Sequence, residues 1–229
     1  IIETSGRSPE PYMKLLKDAK VKILHRVTRT RDARTAERVG VDAVSILGIE
    51  AAGHPGEEDV GSIVRIPVAV NAVKIPVIAG GGIVDARGFV AALALGAEGV
   101  IMGTRFMASQ ECPAHPKVKE WLTQLNETDT ILIQRSIRNT VRAVKTEFTQ
   151  KILEMEQKGA KLEELLPYIS GARGQQAYKS GDTSSASITV GQAVALVRNV
   201  PTVKEIIDGI INEAGQIMQR LHNMGLDGA

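Results

Sequence analysis

Residues 75–83 of the chain read Ile-Pro-Val-Ile-Ala-Gly-Gly-Gly-Ile, and residues 99–105 read Gly-Val-Ile-Met-Gly-Thr-Arg. Each segment contains a short apolar run, typical of a strand buried on both faces of a parallel sheet, and each run ends in glycine. Glycine lets backbone N–H groups approach an anion without a Cβ in the way. Two glycine turns after consecutive strands therefore predict a phosphate-binding edge on a parallel α/β sheet.

The same turns decide between two architectures for the sheet. In (β/α)8 barrels the loops after the seventh and eighth strands commonly hold phosphate groups. A dinucleotide-binding sheet would need the spacing G-x-G-x-x-G, which Gly80-Gly81-Gly82 lacks, and an acid at the end of a following strand, which is missing. The barrel is the better interpretation. The alternative that these glycines only turn the chain, and that Thr104 only caps a helix, stays open.

An internal βα repeat surrounds the two turns. The phrase Asp-Ala-Arg occurs at residues 32–34 and again at 85–87, where the aspartate can accept hydrogen bonds at a helix start. Both helices are predicted to end in glycine, at Gly40 and Gly96, and to lead at once into a strand. After the opening residues, the predicted strands are 22–27, 42–47, 75–79 and 99–103.

The pattern changes to helices after Arg105. Apolar residues recur at three- and four-residue spacing in segments 117–127, 138–159 and 203–224. Residues 170–187, which are rich in glycine and serine, predict a long polar loop. We therefore divide the chain into residues 1–112, a partial barrel, and residues 113–229, a mostly helical region.

Composition favours a small-molecule partner over nucleic acid or a membrane. The 229 residues include 28 basic and 26 acidic side chains, so there is no single-signed field to attract polyanions. No apolar run approaches the roughly 20 residues that cross a bilayer, and the opening residues lack a signal-peptide layout. Cys112 is the single cysteine, so we expect a cytoplasmic protein without an internal disulfide. No metal site is predicted, and a homo-oligomer is possible.

A histidine loop follows the predicted strand 42–47. It reads Gly48-Ile49-Glu50-Ala51-Ala52-Gly53-His54-Pro55-Gly56 and lies on the face where barrel active sites form. Histidine can both accept and donate a proton near neutral pH, and the flanking glycines leave room for ligands. We predict that His54 is catalytic. Glu50 could orient His54 or, as we favour, bind a backbone N–H.

Four segments resemble successive signatures of the nitronate monooxygenase (2-nitropropane dioxygenase) family, namely residues 48–54, 75–83, 91–97 and 102–106. A looser resemblance continues through residues 170–174 and 191–192. The resemblance implies FMN, with His54 beside its ring and the cofactor held around Gly53, Gly81, Gly82, Ile83, Gly103 and Thr104. It also implies that oxygen converts an alkyl nitronate to a carbonyl compound and nitrite. Where a nitroalkane is accepted, the histidine removes its α-proton.

The strand count suggests a partial barrel. If the strand before Gly103 is the eighth, the opening Ile-Ile-Glu-Thr is the fourth, so the chain forms the C-terminal portion of a TIM barrel, about strands 4–8. The first three βα units would then lie outside this sequence. We expect the 229-residue polypeptide alone to bind FMN poorly.

Two other functions remain open at this point. One is a flavin-dependent enoyl-acyl carrier protein reductase, which would oxidise NAD(P)H. The other is a non-catalytic remnant that keeps the glycine turns without binding flavin.

Near the end of the strand 22–27, alternation sends His25 and Arg26 to opposite faces, but the pattern does not tell which one faces inward.

Overall fold

The computed structural model describes residues 1–225 and contains a five-stranded parallel sheet. Neighbouring strands pair in chain order, so β1 and β5 each have a partner on one side only within the described residues. An α/β fold with a parallel sheet is therefore confirmed. The strands are β1 (Ile2–Ser5), β2 (Ile23–Val27), β3 (Ala43–Leu47), β4 (Val77–Gly80) and β5 (Gly99–Ile101).

Helices connect the strands and cover one face of the sheet. A 3-10 turn (Glu10–Tyr12) precedes the first of these helices, and the set is α1 (Met13–Asp18), α2 (Thr30–Val39), α3 (Ser62–Val70) and α4 (Ala86–Ala94). Alternate strand residues such as Ile23, Val44 and Ala79 pack with these helices into one apolar core. The other sheet face carries polar groups, including the ion pair Arg26–Glu3.

Helix starts and ends follow the predicted signals only in part. Asp85 accepts hydrogen bonds from the N–H groups of Arg87 and Gly88, so its predicted capping role is confirmed. Asp32 is not a cap, because α2 begins at Thr30 and the Asp32 carboxylate binds the Arg29 side chain. Gly40 ends α2 with φ +89, as predicted.

The rest of the described chain folds beyond β5. Its elements are α5 (Thr104–Met107), α6 (Pro116–Leu122), β6 (Thr130–Ile133), β7 (Val141–Val144), α7 (Glu147–Gln157), α8 (Leu162–Ile169), α9 (Gly171–Ser180), a 3-10 turn (Gln192–Leu196) and α10 (Val203–His222). The last helix returns to the sheet and packs on α4 through Ile217 and Ala214. No helix within residues 1–225 is both long and apolar enough to cross a membrane.

Two predicted elements of this region are wrong in their first halves, although α7 forms a helix in the second half of 138–159 and residues 181–187 contain no helix or strand. Segment 138–159 was predicted as a helix, but its first part is the strand β7, which pairs antiparallel with β6. Segment 170–187 was predicted as a loop, but α9 occupies its first half because Ala177 is fully buried in an apolar cluster. The hairpin matters for the site, because β7 lies beside the histidine loop and pairs with Gly53.

Candidate functional site

The two glycine turns converge on one cavity at the C-terminal ends of β4 and β5. Its lining includes five residues predicted to bind the cofactor: Gly81, Gly82, Ile83, Gly103 and Thr104. The cavity measures about 230 Å³, and we call it the glycine cavity. This volume is below the roughly 300–1,000 Å³ of pockets that enclose whole drug-sized ligands. The glycine cavity fits a phosphate group and the few ligand atoms attached to it better than a complete flavin.

Backbone conformation makes glycine necessary at the first turn. Gly81 and Gly82 have φ values of +90 and +74, in the left-handed region that other residues rarely adopt. A Cβ on Gly81 would lie 3.1 Å from the Gly48 nitrogen. Gly103 differs, because a Cβ there would meet no atom within 4 Å. Glycine at 103 therefore keeps space open in the cavity, which fits a group that approaches the backbone closely.

A polar cluster beneath the first turn holds it in place. The Ser62 N–H donates to Glu50 Oε1 at 2.9 Å, so Glu50 does bind a backbone N–H, as we favoured from the sequence. The Ser62 hydroxyl lies 2.9 Å from the Gly81 carbonyl oxygen and 3.1 Å from Glu50 Oε2. It has one hydrogen and can donate to either oxygen. The cluster ties the histidine loop to the glycine turn.

Replacing Ser62 with alanine should destabilise the protein by about 1–2 kcal/mol, because buried carbonyl and carboxylate oxygens lose a donor. Urea unfolding of the two proteins measures the difference. Ser170→Ala is the matched control, since the exposed Ser170 hydroxyl has no hydrogen-bond partner among residues 1–225. Equal losses in both variants would show that the Ser62 hydroxyl does not hold the turn.

His54 is exposed and lines two larger cavities, of about 690 and 650 Å³. We call the 690 Å³ space the His54 cavity. It is formed by the loops that follow β1, β2 and β3 and by the β6–β7 turn. Arg26 lines both it and the glycine cavity, so the two spaces adjoin. The predicted catalytic histidine thus lines a cavity that adjoins the predicted phosphate site and does not line that site itself.

Gly53 does not line the glycine cavity. Its N–H donates to the Arg142 carbonyl at 3.1 Å, and its own carbonyl accepts from the Arg142 N–H at 2.7 Å. The N–H and carbonyl groups of Gly53 are therefore hydrogen-bonded to β7, whereas a residue that binds a cofactor through its backbone would have them free. A role for Gly53 beside a cofactor stays a prediction that depends only on its lack of a side chain.

The structure decides which of His25 and Arg26 faces the glycine cavity, since Arg26 lines it and His25 does not. His25 is buried with the helix-facing residues of β2, and its Nδ1 lies 2.8 Å from the Thr4 hydroxyl. Burial lowers the pKa of His25 below its ordinary value. Arg26 points the other way, lines the glycine cavity and binds the Glu3 carboxylate with Nη2 at 2.8 Å.

Sequence reasoning assigned no site role to the segment around Gly191. Gly191 and Ala193 line the glycine cavity, and the Gly191 N–H donates to the Thr104 hydroxyl at 3.0 Å. The next N–H, from Gln192, donates to the Glu50 carbonyl. The only signal in the sequence was the loose family resemblance at 191–192, because nothing local indicates a contact across almost ninety residues.

A second overlooked residue is Arg142 on β7. Its side chain is buried, donates from Nε to the Ile49 carbonyl at 2.9 Å and donates from Nη1 to the Thr130 hydroxyl. Burial lowers the pKa of this guanidinium. Within residues 1–225 no group of three or more His, Cys, Asp or Glu side chains is arranged to hold a metal ion.

Parallel α/β proteins with glycine turns at the ends of neighbouring strands form a class whose members often bind phosphate-bearing ligands at that edge. The fold and the glycine cavity put the chain in this class. Within the class, it belongs to the nitronate monooxygenase family, because the family model described as nitronate monooxygenase matches residues 1–213.

Curated relatives agree with this membership. The chain is 33% identical over 226 residues to a probable nitronate monooxygenase of Staphylococcus aureus strain MSSA476, covering 94% of this chain and 62% of the relative. It is 30% identical over 231 residues to a probable nitronate monooxygenase of Staphylococcus saprophyticus, covering 95% and 63%. The chain thus spans less than two thirds of the length of these relatives.

Solved structures show the same fold. FabK from Thermotoga maritima has 36% sequence identity and a TM-score of 0.90, covering 97% of this chain and 70% of that one. A nitroalkane oxidase from Streptomyces ansochromogenes has 24% identity and a TM-score of 0.79, covering 96% and 66%. At that identity the second likeness concerns the fold alone.

Proposed function

We propose that residues 1–112 form about strands four to eight of a (β/α)8 barrel and that residues 113–229 form a mostly helical region attached to it. The sequential strand order and the single-sided pairing of β1 and β5 in the described chain support this proposal. The structural neighbours are TIM-barrel enzymes. Three further strands would complete the barrel and would come from outside residues 1–229.

The cofactor of the complete barrel is FMN, with its phosphate at the glycine cavity. Backbone groups of Gly81, Gly82, Ile83, Gly103 and Thr104 would hold the phosphate. Open space at Gly103 and the left-handed glycines of the first turn fit this group. When bound, FMN supplies the electron-transfer chemistry.

The reaction is the oxidation of an alkyl nitronate by oxygen to a carbonyl compound and nitrite. His54 lines the His54 cavity, where a substrate would have access to the imidazole, and Arg26 lines both this cavity and the glycine cavity that would hold the cofactor's phosphate. For a neutral nitroalkane, His54 accepts the proton from the carbon next to the nitro group. One observation carries the proposal: two glycine turns line one cavity, and the histidine-lined cavity adjoins it through Arg26.

An oxygen-electrode assay tests the proposal. The complete FMN-loaded protein should consume oxygen and release nitrite with ethyl nitronate, and it should oxidise NADH at background rate. Relative to ethyl nitronate in buffer without enzyme, we expect at least about a 100-fold increase in oxygen uptake, which is a small part of a typical enzymatic acceleration. No oxygen uptake with any alkyl nitronate would contradict the proposed reaction.

A second candidate is a flavin-dependent enoyl-acyl carrier protein reductase. FabK from Thermotoga maritima, which is 36% identical to this chain with a TM-score of 0.90, supports this candidate. The same preparation separates the two candidates. A reductase would oxidise NAD(P)H rapidly with an enoyl thioester and would leave ethyl nitronate unchanged.

A further inference from the structure

The segment around Gly191 brings the helical region to the edge of the glycine cavity. Gly191 and Ala193 line the cavity. On either side of Gly191, the side chains of Val190 and Val194 are fully buried in the apolar cluster of the helical region. Because both side chains are packed in that cluster, the segment is held against the cavity by residues far from the sheet.

Glycine at position 191 is explained by a close approach and not by backbone conformation. Gly191 has φ −81 and ψ 163, which is extended backbone that any residue adopts. A Cβ there, however, would lie 2.8 Å from the Glu50 carbonyl oxygen. The N–H of Gln192 donates to this same oxygen at 3.0 Å. The missing side chain therefore lets the segment lie directly on the histidine loop.

The Thr104 hydroxyl uses only part of its hydrogen-bonding capacity. Thr104 lines the glycine cavity and is 6% exposed. Its Oγ1 accepts a hydrogen bond from the Gly191 N–H at 3.0 Å, and among residues 1–225 no group accepts the hydroxyl hydrogen. A hydroxyl has one hydrogen to donate, and a buried donor without an acceptor costs free energy. The hydrogen is thus available to an acceptor inside the cavity.

We propose that Gly191 is a positioning residue for the cofactor's phosphate. Its N–H occupies the Thr104 oxygen as an acceptor, so that the Thr104 hydroxyl is left to donate its hydrogen to a phosphate oxygen. Hydrogen bonds to an ionised acceptor are about twice as strong as neutral ones, so a phosphate suits this donor. The inference rests on the proposed function for the identity of the anion, but not on the nitronate reaction.

Comparing FMN with riboflavin is the first test, because the two ligands differ only in the phosphate. In the flavin-free complete protein, Thr104→Val should lower the ratio of FMN to riboflavin affinity about tenfold and change riboflavin affinity less than about twofold. Gly191→Ala should lower the same ratio about fivefold, because its Cβ forces the segment away from Glu50. Gly209→Ala, which has open space around the added Cβ, is the control.

A double variant asks whether Gly191 acts through Thr104. When Thr104→Val is already present, adding Gly191→Ala should lower the ratio by less than about twofold further, since the hydroxyl that Gly191 positions is gone. Thr104→Ser keeps the hydroxyl, so the full effect of Gly191→Ala should return in that background. Equal loss of FMN and riboflavin affinity in Gly191→Ala would show that Gly191 only supports the fold and would overturn the inference.

Hydrogen exchange in the unaltered complete protein is the second test and does not depend on how a variant folds. The Gly191 amide, followed by NMR, should exchange at least about fivefold more slowly with FMN than with riboflavin, because donation to the phosphate makes the Thr104 oxygen a stronger acceptor. The same exchange rate with both ligands would overturn the inference.

These measurements separate the inference from the proposed function. If the unaltered protein prefers FMN, loses this preference in Gly191→Ala and yet does not oxidise nitronates, the proposed reaction fails and the role of Gly191 stands. If the unaltered protein binds FMN and riboflavin equally, the phosphate does not lie in the glycine cavity, and the proposed cofactor site fails together with the role of Gly191.

Discussion

Replacing His54 with asparagine should lower turnover of nitroethane by about 100-fold or more while FMN stays bound, because proton transfer by a positioned side chain contributes about 10²–10⁴-fold. The neutral nitroalkane must lose a carbon-bound proton before it can be oxidised. Among the described residues 1–225, the histidines that line the His54 cavity are His54 and His25. His25 is buried and lies against Thr4. Steady-state oxygen uptake and the flavin absorbance of the purified variant measure the two effects.

The substrate comparison makes this experiment specific. Ethyl nitronate has already lost the proton, so its oxidation should depend on His54 much less than that of nitroethane. His115→Asn is a matched control, since His115 caps α6 by accepting from the Lys117 N–H, and asparagine can also cap. Equal losses with nitroethane and ethyl nitronate would assign His54 to substrate positioning. No loss with either would remove it from the mechanism.

In the complete protein, replacing Gly103 with leucine should weaken FMN binding by about 100-fold or more, because the leucine side chain would occupy the space of the phosphate group. The lost charge-assisted hydrogen bonds to the phosphate are worth about 3 kcal/mol or more. The fold should tolerate the change. Gly103 has φ −101, and its Cβ would meet no atom within 4 Å. We expect the unfolding free energy to stay within about 0.5 kcal/mol of the parent value.

Gly81→Ala is the instructive contrast. Residue 81 has a φ of +90, and an alanine Cβ there would lie 3.1 Å from the Gly48 nitrogen. We therefore expect Gly81→Ala to lower the unfolding free energy by about 1–3 kcal/mol and to weaken FMN binding as well. Gly209→Ala, inside α10 with open space around its Cβ, controls for glycine replacement as such. Flavin fluorescence titration and urea unfolding separate binding from folding. Normal FMN affinity in Gly103→Leu would show that the phosphate lies elsewhere.

The repeated βα units could be predicted from the sequence because each strand and each helix end depends on residues close together in the chain. Apolar runs and glycine stops predicted β2 to β5 within a few residues, and the shared edge of a parallel sheet predicted that Gly81 and Gly103 meet. The glycine cavity follows directly from those two facts. The Glu50 contact with a backbone N–H was predicted too, since short-range geometry decides it.

Elements whose structure depends on contacts between residues far apart in the sequence could not be predicted from local patterns. The β6–β7 hairpin was missed because its turn contains no glycine, although Gln134 and Arg138 both adopt positive φ. Glycine-rich α9 was read as a loop, but burial of Ala177 outweighs the low helix propensity of glycine. Gly191 and Arg142 reach the site only through tertiary contacts, so no spacing rule finds them.

The pairing of Gly53 with Arg142 has a consequence for how small molecules enter and leave. Two main-chain hydrogen bonds between Gly53 and Arg142, and the hydrogen bond from Arg142 Nε to the Ile49 carbonyl oxygen, attach the histidine loop to the β6–β7 hairpin. The loop therefore cannot swing open as a hinged lid unless the hairpin detaches with it. We expect the histidine loop to keep its position when a ligand enters or leaves, because both hydrogen bonds to Arg142 would otherwise have to break.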